Sequence, residues 1–316
     1  MKGFILLALA VFAALQTVES ACSTCRTMKW VNCEGAAPPC TCQITLDDSN
    51  RPAIDCEKLV SKCFLMKAEM YRRKMGQDVR TNIGGKPHED AIMDNDGIYN
   101  PDCENDGKFK AKQCNNTEEC WCVNSAGVRR TDKGDKNMNC SKLVETYMIR
   151  LELTHKELES NNKVNVQALE NSVKNLLQTR YQVDGSLVKN VQYDPDGRYI
   201  VIDIEKEKGD RTTNLGNMAY YMEKDLKVSP LFNNQTKVQL NGGSQKLDLN
   251  KIVVYYVDEE RPTITMQYLT GGIIAVIVVV VLVVVLGLLA LFFVNRKRQQ
   301  RYSKTQVKAA SCTLSL

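Results

Sequence analysis

The longest apolar run of the chain covers residues 271–294 and contains no charged or amide side chain. As an α-helix this run would extend about 36 Å, which exceeds the roughly 30 Å hydrocarbon core of a bilayer. Arg296, Lys297 and Arg298 follow at once, and an excess of Lys and Arg marks the cytoplasmic side of a membrane span. The pattern predicts one transmembrane helix at 271–294, with these three residues as its stop-transfer anchor and 295–316 as a cytoplasmic tail.

A shorter apolar run lies near the N-terminus, at residues 4–15, after the basic Lys2. Residues 18–20 offer a cleavage site, so the arrangement is that of a secretory signal peptide. We expect residues 1–20 to be removed and the mature protein to begin at Ala21. Together with the C-terminal span, this predicts a single-pass protein whose N-terminal part lies outside the cell.

The segment 141–260 has no cysteine, so it must be stabilised by an apolar core. Apolar residues alternate along 147–154, which predicts a half-buried strand, and recur at helical spacing along 166–181. The order of elements, β-α-β-β-α-β-β, predicts an α+β domain with its helices on one face of a mainly antiparallel sheet. The predicted strands are 147–154, 188–193, 198–205, 237–241 and 251–257, and the predicted helices are 166–181 and 218–226.

One turn in this segment is predicted from its residue types. Residues 194–197 read Asp-Pro-Asp-Gly, in which Pro195 fixes φ and Gly197 permits a positive φ. The turn therefore joins the strands 188–193 and 198–205 into a hairpin.

The cysteines indicate the compartment. All 13 except Cys312 lie between Cys22 and Cys140, and an even number at this density persists as disulfides in an oxidising compartment. The alternative is a zinc module, because Cys22-x-x-Cys25 and Cys40-x-Cys42 could bind metal in a cytosolic protein. Since the N-terminus indicates secretion, we expect disulfides and neither a metal nor another cofactor.

Six cysteines lie in residues 21–62, a segment with few large apolar side chains. It cannot bury a core of its own, so disulfides must stabilise it, typically by about 2–5 kcal/mol each. The spacing alone leaves their pairing open. A helix is predicted next, at 56–74, because apolar residues recur there at three- and four-residue spacing.

A long polar loop is predicted at 72–93, and basic residues lie at its start. Arg72, Arg73 and Lys74 form a basic run, and Arg80 lies within the loop. These residues fit a solvated helix end. They also fit a cut site for a trypsin-like membrane protease, with Arg72, Arg73 and Arg80 as candidates; the two products would stay joined through a Cys63 bridge.

The densest motif of the chain lies between residues 101 and 140. It comprises Pro-x-Cys at 101–103, Gly-x-Phe at 107–109, Gln-Cys at 113–114, Cys-Trp-Cys-Val at 120–123, and Gly127. This arrangement resembles the thyroglobulin type-1 repeat, a module of secreted and cell-surface proteins. The resemblance supports an extracellular location.

The chain carries no motif of an enzyme. His88 and His155 lie in no nucleophile or metal-ligand motif, and we expect both at the surface. Residues 94–97 begin like a calcium loop, but the twelfth position is Asn105 instead of the Glu that calcium requires. We therefore expect no catalytic activity.

Two sequons and the charge distribution complete the sequence evidence. Asn115 and Asn234 each begin an Asn-x-Thr acceptor for N-glycosylation. The net charge of +5 comes from the tail, which carries six basic residues and no acidic one. It therefore gives no reason to expect a nucleic-acid partner, and instead matches an anionic inner leaflet, to which each basic residue contributes about 1 kcal/mol of attraction.

The whole chain resembles the epithelial cell adhesion molecule family, which also includes trophoblast cell-surface antigen. The shared arrangement is a small cysteine-rich domain, a thyroglobulin type-1 module, a cysteine-free α+β domain, one span and a short tail. The most specific matching stretches are residues 66–70, 94–97, 110–114, 120–132, 219–225 and 255–259. The domains expected on this basis are 1–20 (signal peptide), 21–62 (cysteine-rich), 63–140 (thyroglobulin type-1), 141–260 (α+β, membrane-proximal), 261–270 (stalk), 271–294 (span) and 295–316 (tail).

The resemblance implies a disulfide pairing and a mode of action. The implied bridges are Cys22–Cys40, Cys25–Cys56, Cys33–Cys42, Cys63–Cys103, Cys114–Cys120 and Cys122–Cys140. The implied activity is homophilic, calcium-independent adhesion at lateral epithelial surfaces, by cis homodimers in which the module's loop docks on the partner's membrane-proximal domain. Shedding and intramembrane proteolysis would release a signalling tail, and claudins and tetraspanins are implied as partners in the membrane.

Three features depart from the family pattern. Cys22-x-x-Cys25 replaces the usual Cys-x-Cys, and the small-residue motif of the span reads Val283-x-x-x-Gly287. Gly271-x-x-x-Ala275 remains available for close helix packing. The tail lacks the acidic residues usual in the family and ends in Leu-Ser-Leu, which could bind a PDZ domain. A function of another class is also compatible with the module, namely a membrane-tethered inhibitor of cysteine cathepsins.

Overall fold

The computed structural model describes residues 22, 24–35, 40–77, 99–115, 118–158, 163–233, 238–264 and 271–313. The signal peptide, Arg80, His88, the turn 94–97, Asn234 and the last three residues lie outside them. The chain divides into two units, one within residues 1–264 and one within 265–316.

The cysteine-rich head contains an antiparallel pair of strands, β1 (Val31–Glu34) and β2 (Thr41–Ile44). The thyroglobulin-like module contributes helix α1 (Lys62–Lys74) and a second antiparallel pair, β3 (Lys112–Cys114) and β4 (Cys120–Cys122). These elements are short, so most of the backbone in both parts is loop held by disulfides.

Helix α1 begins six residues after the predicted start at 56. Ser61 is its N-cap, and its hydroxyl accepts a hydrogen bond from the backbone N–H of Phe64. The preceding residues do not extend the helix because side chains of another domain bind their backbone. The Leu59 N–H donates to the Gln182 side chain, and the Val60 N–H donates to the Tyr221 hydroxyl. The apolar spacing therefore predicted too early a start.

The membrane-proximal domain is an α+β domain, as the sequence predicted. Its five strands are β5 (Thr146–His155), β6 (Val188–Asp194), β7 (Tyr199–Glu205), β8 (Gln239–Gly242) and β9 (Gln245–Asp258). They form one antiparallel sheet in the order β6-β7-β5-β9-β8. Along β5, Ile149, Leu151 and Leu153 are fully buried, whereas Arg150 is exposed, so one face of the sheet forms the core. The two helices of the domain are α2 (Val166–Thr179) and α3 (Leu215–Lys227).

Strand β9 is twice as long as predicted, because it begins at Gln245 and not at 251. A tight hairpin at Gly243, which has a φ of +83°, returns the chain from β8 into β9. The alternating burial of Gln245, Leu247 and Leu249 continues the pattern of the predicted strand toward its N-terminus.

Two local predictions were wrong. In the turn after β6 the residue with positive φ is Arg198, at 52°, and not Gly197. His155 is not a surface histidine: it is 2% exposed, its Nδ1 lies 2.6 Å from the carbonyl oxygen of Lys156, and its Nε2 lies 3.1 Å from the Tyr193 hydroxyl. Its place at the end of the central strand β5 explains its burial, because the ring fills the inward position that follows Leu153.

The second unit contains helix α4 (Gly271–Thr313). Within α4, the segment Ala275–Lys297 is long enough to cross a membrane and is apolar up to Val294, and among the described residues no other helix meets that test. This is consistent with the predicted single span. Arg296 and Lys297 follow the apolar segment without a break in the helix.

Candidate functional site

Three disulfides lie within the head and three lie within the module. They join Cys22–Cys40, Cys25–Cys56, Cys33–Cys42, Cys63–Cys103, Cys114–Cys120 and Cys122–Cys140. These are the six pairs that the family resemblance implies. Cys63 of α1 is thereby tied to the motif-bearing segment at Cys103, which places α1 within the module.

The motif residues of the module explain one another. The Gln113 amide oxygen accepts from the Asp102 N–H at 2.8 Å, and its NH2 group donates to the carbonyls of Asp102 and Lys110. Gly127 has a φ of +78°, and a Cβ there would lie 2.5 Å from the Phe109 ring. The Gln, the Phe and the Gly of the motif are thus required for packing and hydrogen bonding, which leaves the module's exposed loops to carry any binding function.

The thyroglobulin-like module is attached to the membrane-proximal domain by buried charges. Lys224 of α3 donates to Glu69 of α1 at 2.7 Å, and the Tyr220 hydroxyl donates to the same carboxylate at 3.0 Å. At a second contact the Nε of Arg130 lies 2.8 Å from an Asp258 oxygen. Burial raises the pKa of Asp258, against hydrogen bonds from its neighbours that lower it. Sequence reasoning missed these residues, because their partners lie more than a hundred positions apart.

The connector between head and module, residues 56–62, also lies against the membrane-proximal domain. Gln182, at a φ of 56°, accepts from the Leu59 N–H at 3.2 Å and donates to the Glu57 carbonyl at 2.5 Å. The Lys62 N–H donates to Asn217 of α3 at 2.8 Å. The head makes its own contact, because the Lys29 N–H donates to the Leu231 carbonyl at 2.8 Å. The head, the module and the membrane-proximal domain are therefore held together as one unit within residues 1–264.

The sheet of the membrane-proximal domain has an outer face, on the side opposite its core. Among the described residues no helix covers it. Arg150 donates two hydrogen bonds to Asp203, at 2.7 and 3.0 Å, and these bonds lower the pKa of the Asp203 carboxyl. The outer face presents Met148, Arg150, Glu152, Tyr199, Val201, Asp203, Val253, Tyr255 and Val257. A mixture of aromatic, aliphatic and arginine side chains on a solvated face is typical of a protein–protein interface.

The remaining candidate residues are not gathered at one site. Arg72 and Arg73 lie in the last turn of α1, and the guanidinium of Arg72 stacks over the Trp30 ring at 5.2 Å. Asn115 is half-buried, and its amide donates to the Glu119 carboxylate at 3.0 Å. Arg296 and Lys297 lie in α4.

Comparison with known proteins identifies two domains of the chain, the module and the membrane-proximal domain. Residues 77–141 match the thyroglobulin type-1 repeat, and residues 146–258 match the C-terminal domain of EPCAM/Trop-2. The chain is 41% identical to the epithelial cell adhesion molecule of Bos taurus over 312 residues, covering 97% of this chain and 94% of that protein. It is 38% identical to the tumor-associated calcium signal transducer 2 of Homo sapiens over 307 residues, covering 96% and 92%. Its identity to the epithelial cell adhesion molecule of Mus musculus is 41% over 272 residues, covering 84% and 82%.

Proposed function

Because the chain belongs to the EpCAM and Trop-2 family of cell-adhesion molecules and signal transducers, which are not enzymes, we propose that it mediates homophilic, calcium-independent adhesion as a cis homodimer at lateral epithelial surfaces. The relatives are cell-surface proteins, and the apolar helix is consistent with a single-pass protein of the plasma membrane. The alternative of a tethered cathepsin inhibitor is not favoured, since these relatives carry the names of adhesion and signalling proteins.

The outer face of the sheet is the observation that carries the dimer. The family resemblance implies that the module's loop docks on the membrane-proximal domain of a second copy. On that domain the core face is filled by α2 and α3, so the outer face is the surface left for docking. We assign the dimer contact to its exposed apolar end, where Tyr255 and Val257 are each 37% exposed.

Charge insertion on the outer face tests the dimer. In cells expressing the full chain, Val257→Asp should reduce the yield of cross-linked dimer, since it would bury an unpaired carboxylate. Val166→Asp is the matched control, because Val166 is also exposed, at 43%, but lies on α2 away from this face. If Val257→Asp cross-links as efficiently as the wild type at equal surface expression, the contact lies elsewhere.

Cell aggregation tests the adhesive activity itself. Cells that express the full chain should cluster in the presence of a calcium chelator, and cells that do not express it should remain single. Clustering that disappears on chelation would contradict calcium independence. Multiple weak contacts are sufficient for such adhesion, because clustering raises their effective concentration.

For signalling, we propose shedding of the extracellular part followed by intramembrane proteolysis. A C-terminal tag should then report a membrane-bound stub and a released tail, and inhibition of intramembrane proteolysis should make the stub accumulate.

A trypsin-like cut within the predicted loop 72–93 is a further proposal. Proteases bind extended chain, and since Arg72 and Arg73 are helical, Arg80 is the candidate to mutate first. Reducing gels should show two fragments that Arg80→Gln restores to one.

Partners in the membrane are proposed from the span and the tail. Gly271 and Ala275 are spaced for close helix packing, so Ala275→Ile should reduce co-precipitation of a claudin or tetraspanin if this face binds them. Deletion of residues 314–316 should abolish binding of any PDZ protein.

The sequons at Asn115 and Asn234 are proposed glycan sites, and Asn→Gln at each should remove a glycosidase-sensitive mass. We also propose the domain boundaries that the sequence predicts.

A further inference from the structure

Two disulfides of the head touch each other. The Sγ of Cys33 lies 3.9 Å from the Sγ of Cys56, although Cys33 is bonded to Cys42 and Cys56 to Cys25. The sulfurs of Cys33, Cys42 and Cys56 all lie within 4.8 Å of one another. A thiol formed at one bridge would therefore be in contact with a sulfur of the other.

The two sulfurs in contact belong to the more exposed cysteines of the cluster. Cys33 and Cys56 are half-buried, whereas Cys25 is 1% and Cys42 6% exposed. Cys33 and Cys42 are directly opposite each other in β1 and β2, with their Cα atoms 4.0 Å apart. Residues 52–54 bond to the outer edge of β2, where the Ile54 N–H donates to the Cys42 carbonyl, so a reagent would approach the bridge at the half-buried Cys33 of β1.

We propose that Cys33, Cys42, Cys56 and Cys25 form a thiol–disulfide exchange site for an extracellular dithiol, such as the active-site dithiol of a protein oxidoreductase. The dithiol first reduces Cys33–Cys42: one of its thiolates attacks Cys33, its second thiol resolves the mixed disulfide, and it leaves as a disulfide. The chain then carries thiols at Cys33 and Cys42.

The second step needs no further reagent. Cys33 gives its proton to water, and its thiolate attacks the Sγ of Cys56. The Cys33–Cys56 bond forms, the Cys25–Cys56 bond breaks, and the Cys25 thiolate leaves and takes up a proton. Because attacker and target are already in contact, this step is favoured over attack by thiols from solution. The product has one bridge, Cys33–Cys56, and free thiols at Cys25 and Cys42.

Release of Cys25 affects how the head is held. The segment after Cys25 carries the head's backbone contacts to the membrane-proximal domain: the Asn233 N–H donates to the Arg26 carbonyl, and the Lys29 N–H donates to the Leu231 carbonyl. The Thr27 hydroxyl also donates to the Cys56 carbonyl at 3.2 Å. Exchange removes the covalent tie between this segment and the connector at Cys56, so the head would detach more readily from the domain below it.

The test is mild reduction of the full-length chain in detergent micelles with thioredoxin and its reducing system. The thiols are then alkylated and the remaining bridges are mapped by mass spectrometry. The chain contains its own control: Cys114–Cys120 also joins directly opposite strand residues, also with Cα atoms 4.0 Å apart, but belongs to no such sulfur cluster within the part of the chain that the structure describes. The expected result is a Cys33–Cys56 peptide with label on Cys25 and Cys42, while any reduced Cys114–Cys120 is labelled only at its own two cysteines.

Two results would overturn the proposal. One is label on Cys33 and Cys42 with Cys25–Cys56 intact, and the other is no labelling until the chain unfolds. A second measurement uses Cys25→Ala, which leaves Cys56 as a thiol beside Cys33. Without any reductant, this variant should contain both Cys33–Cys42 and Cys33–Cys56, and recovery of Cys33–Cys42 alone in the folded protein would also contradict exchange. If the variant does not fold, the mapping of the wild-type chain decides.

Discussion

Lys224 and Glu69 form an ion pair of 2.7 Å across the contact between α3 and α1, with both side chains less than 10% exposed. The two residues are 155 positions apart and belong to different domains. Two charges taken out of water stabilise a structure only while both are present, because the loss of one leaves the other buried and unpaired. This pair therefore makes the attachment of the module sensitive to single substitutions.

Glu69→Ala should destabilise the extracellular part by about 3–5 kcal/mol, because it removes the carboxylate that lies 2.7 Å from the buried Lys224 ammonium. Thermal unfolding of the purified full chain, followed by tryptophan fluorescence, measures the change. Glu119→Ala is the matched control. Glu119 is paired with Lys133 at 3.0 Å, but both are about half exposed, so the expected cost is about 0–1 kcal/mol. The double variant Glu69→Leu with Lys224→Met should recover most of the stability. Equal effects of the two single substitutions would contradict this account.

Arg130→Ala should expose the segment that follows β9 to proteases. The Arg130 guanidinium donates to Asp258 at 2.8 Å and to the carbonyls of Glu260 and Arg261, and its own carbonyl accepts from the Thr263 N–H. A hydrogen bond to a charged group contributes about 1.5–3 kcal/mol, which corresponds to about a tenfold or greater change in the open fraction.

Limited proteolysis of the full chain measures this as the rate of cleavage within residues 259–264. Arg129→Ala is the control, because it removes the arginine next to Arg130 in the chain and leaves the contacts of Arg130 in place. An unchanged rate in Arg130→Ala would show that the segment is held in another way.

Acid sensitivity should depend on Glu259. Two hydrogen bonds from Arg211 and one from the Gly209 N–H lower the pKa of Glu259 to about 2. Because the pKa is lower in the folded than in the unfolded protein, the stabilisation is complete above pH 4.5 and is lost as the pH falls toward 2.

Glu259→Gln should therefore flatten the pH dependence of the unfolding temperature between pH 4.5 and 2 and lower that temperature at neutral pH. Glu207→Gln, a change at an exposed carboxyl nearby, should leave the slope unchanged. Equal slopes for Glu259→Gln and the wild type would contradict the assignment.

Gly216 of α3 allows a close approach of the module to the membrane-proximal domain. A Cβ at this position would lie 2.9 Å from the Cβ and 3.0 Å from the Cα of Ala126. Gly216→Ala should therefore cost about 1–3 kcal/mol of stability through overpacking. Adding Ala126→Gly should recover part of that loss, because it removes one of the two clashing atoms, and thermal unfolding of the three variants measures both effects. A neutral Gly216→Ala would show that the contact is loosely packed.

The sequence predicted those parts of the fold that depend on local spacing. Strand β5 and helix α2 match their predicted positions closely, because alternation and helical spacing are properties of neighbouring residues. The hairpin at Gly243 could have been found from the Gly-Gly-Ser run and from the alternation of Leu247 and Leu249. It was missed because the polar residues between them resemble a loop.

The attachment of the domains could not be predicted, because it depends on pairs with no local signal. At the start of α1 the Val60 N–H donates to Tyr221 and the Lys62 N–H donates to Asn217, and nothing near Lys62 in the sequence indicates these partners. His155 was placed at the surface since its spacing says nothing of what covers the end of β5. The outer face of the sheet was predictable as an alternation, but its pairing of Arg150 with Asp203 required the strand order.

The hydrogen bonds between Gln182 and the connector have a practical consequence for recombinant fragments. A fragment that ended near residue 62 would leave the N–H donors of Leu59, Val60 and Lys62 facing water. A fragment that began there would leave their acceptors on Gln182, Tyr221 and Asn217 facing water. The boundary between the head and the module, near residue 62, is therefore a poor place to truncate this chain. Antibodies or soluble decoys directed at it are better raised against the head, module and membrane-proximal domain kept together.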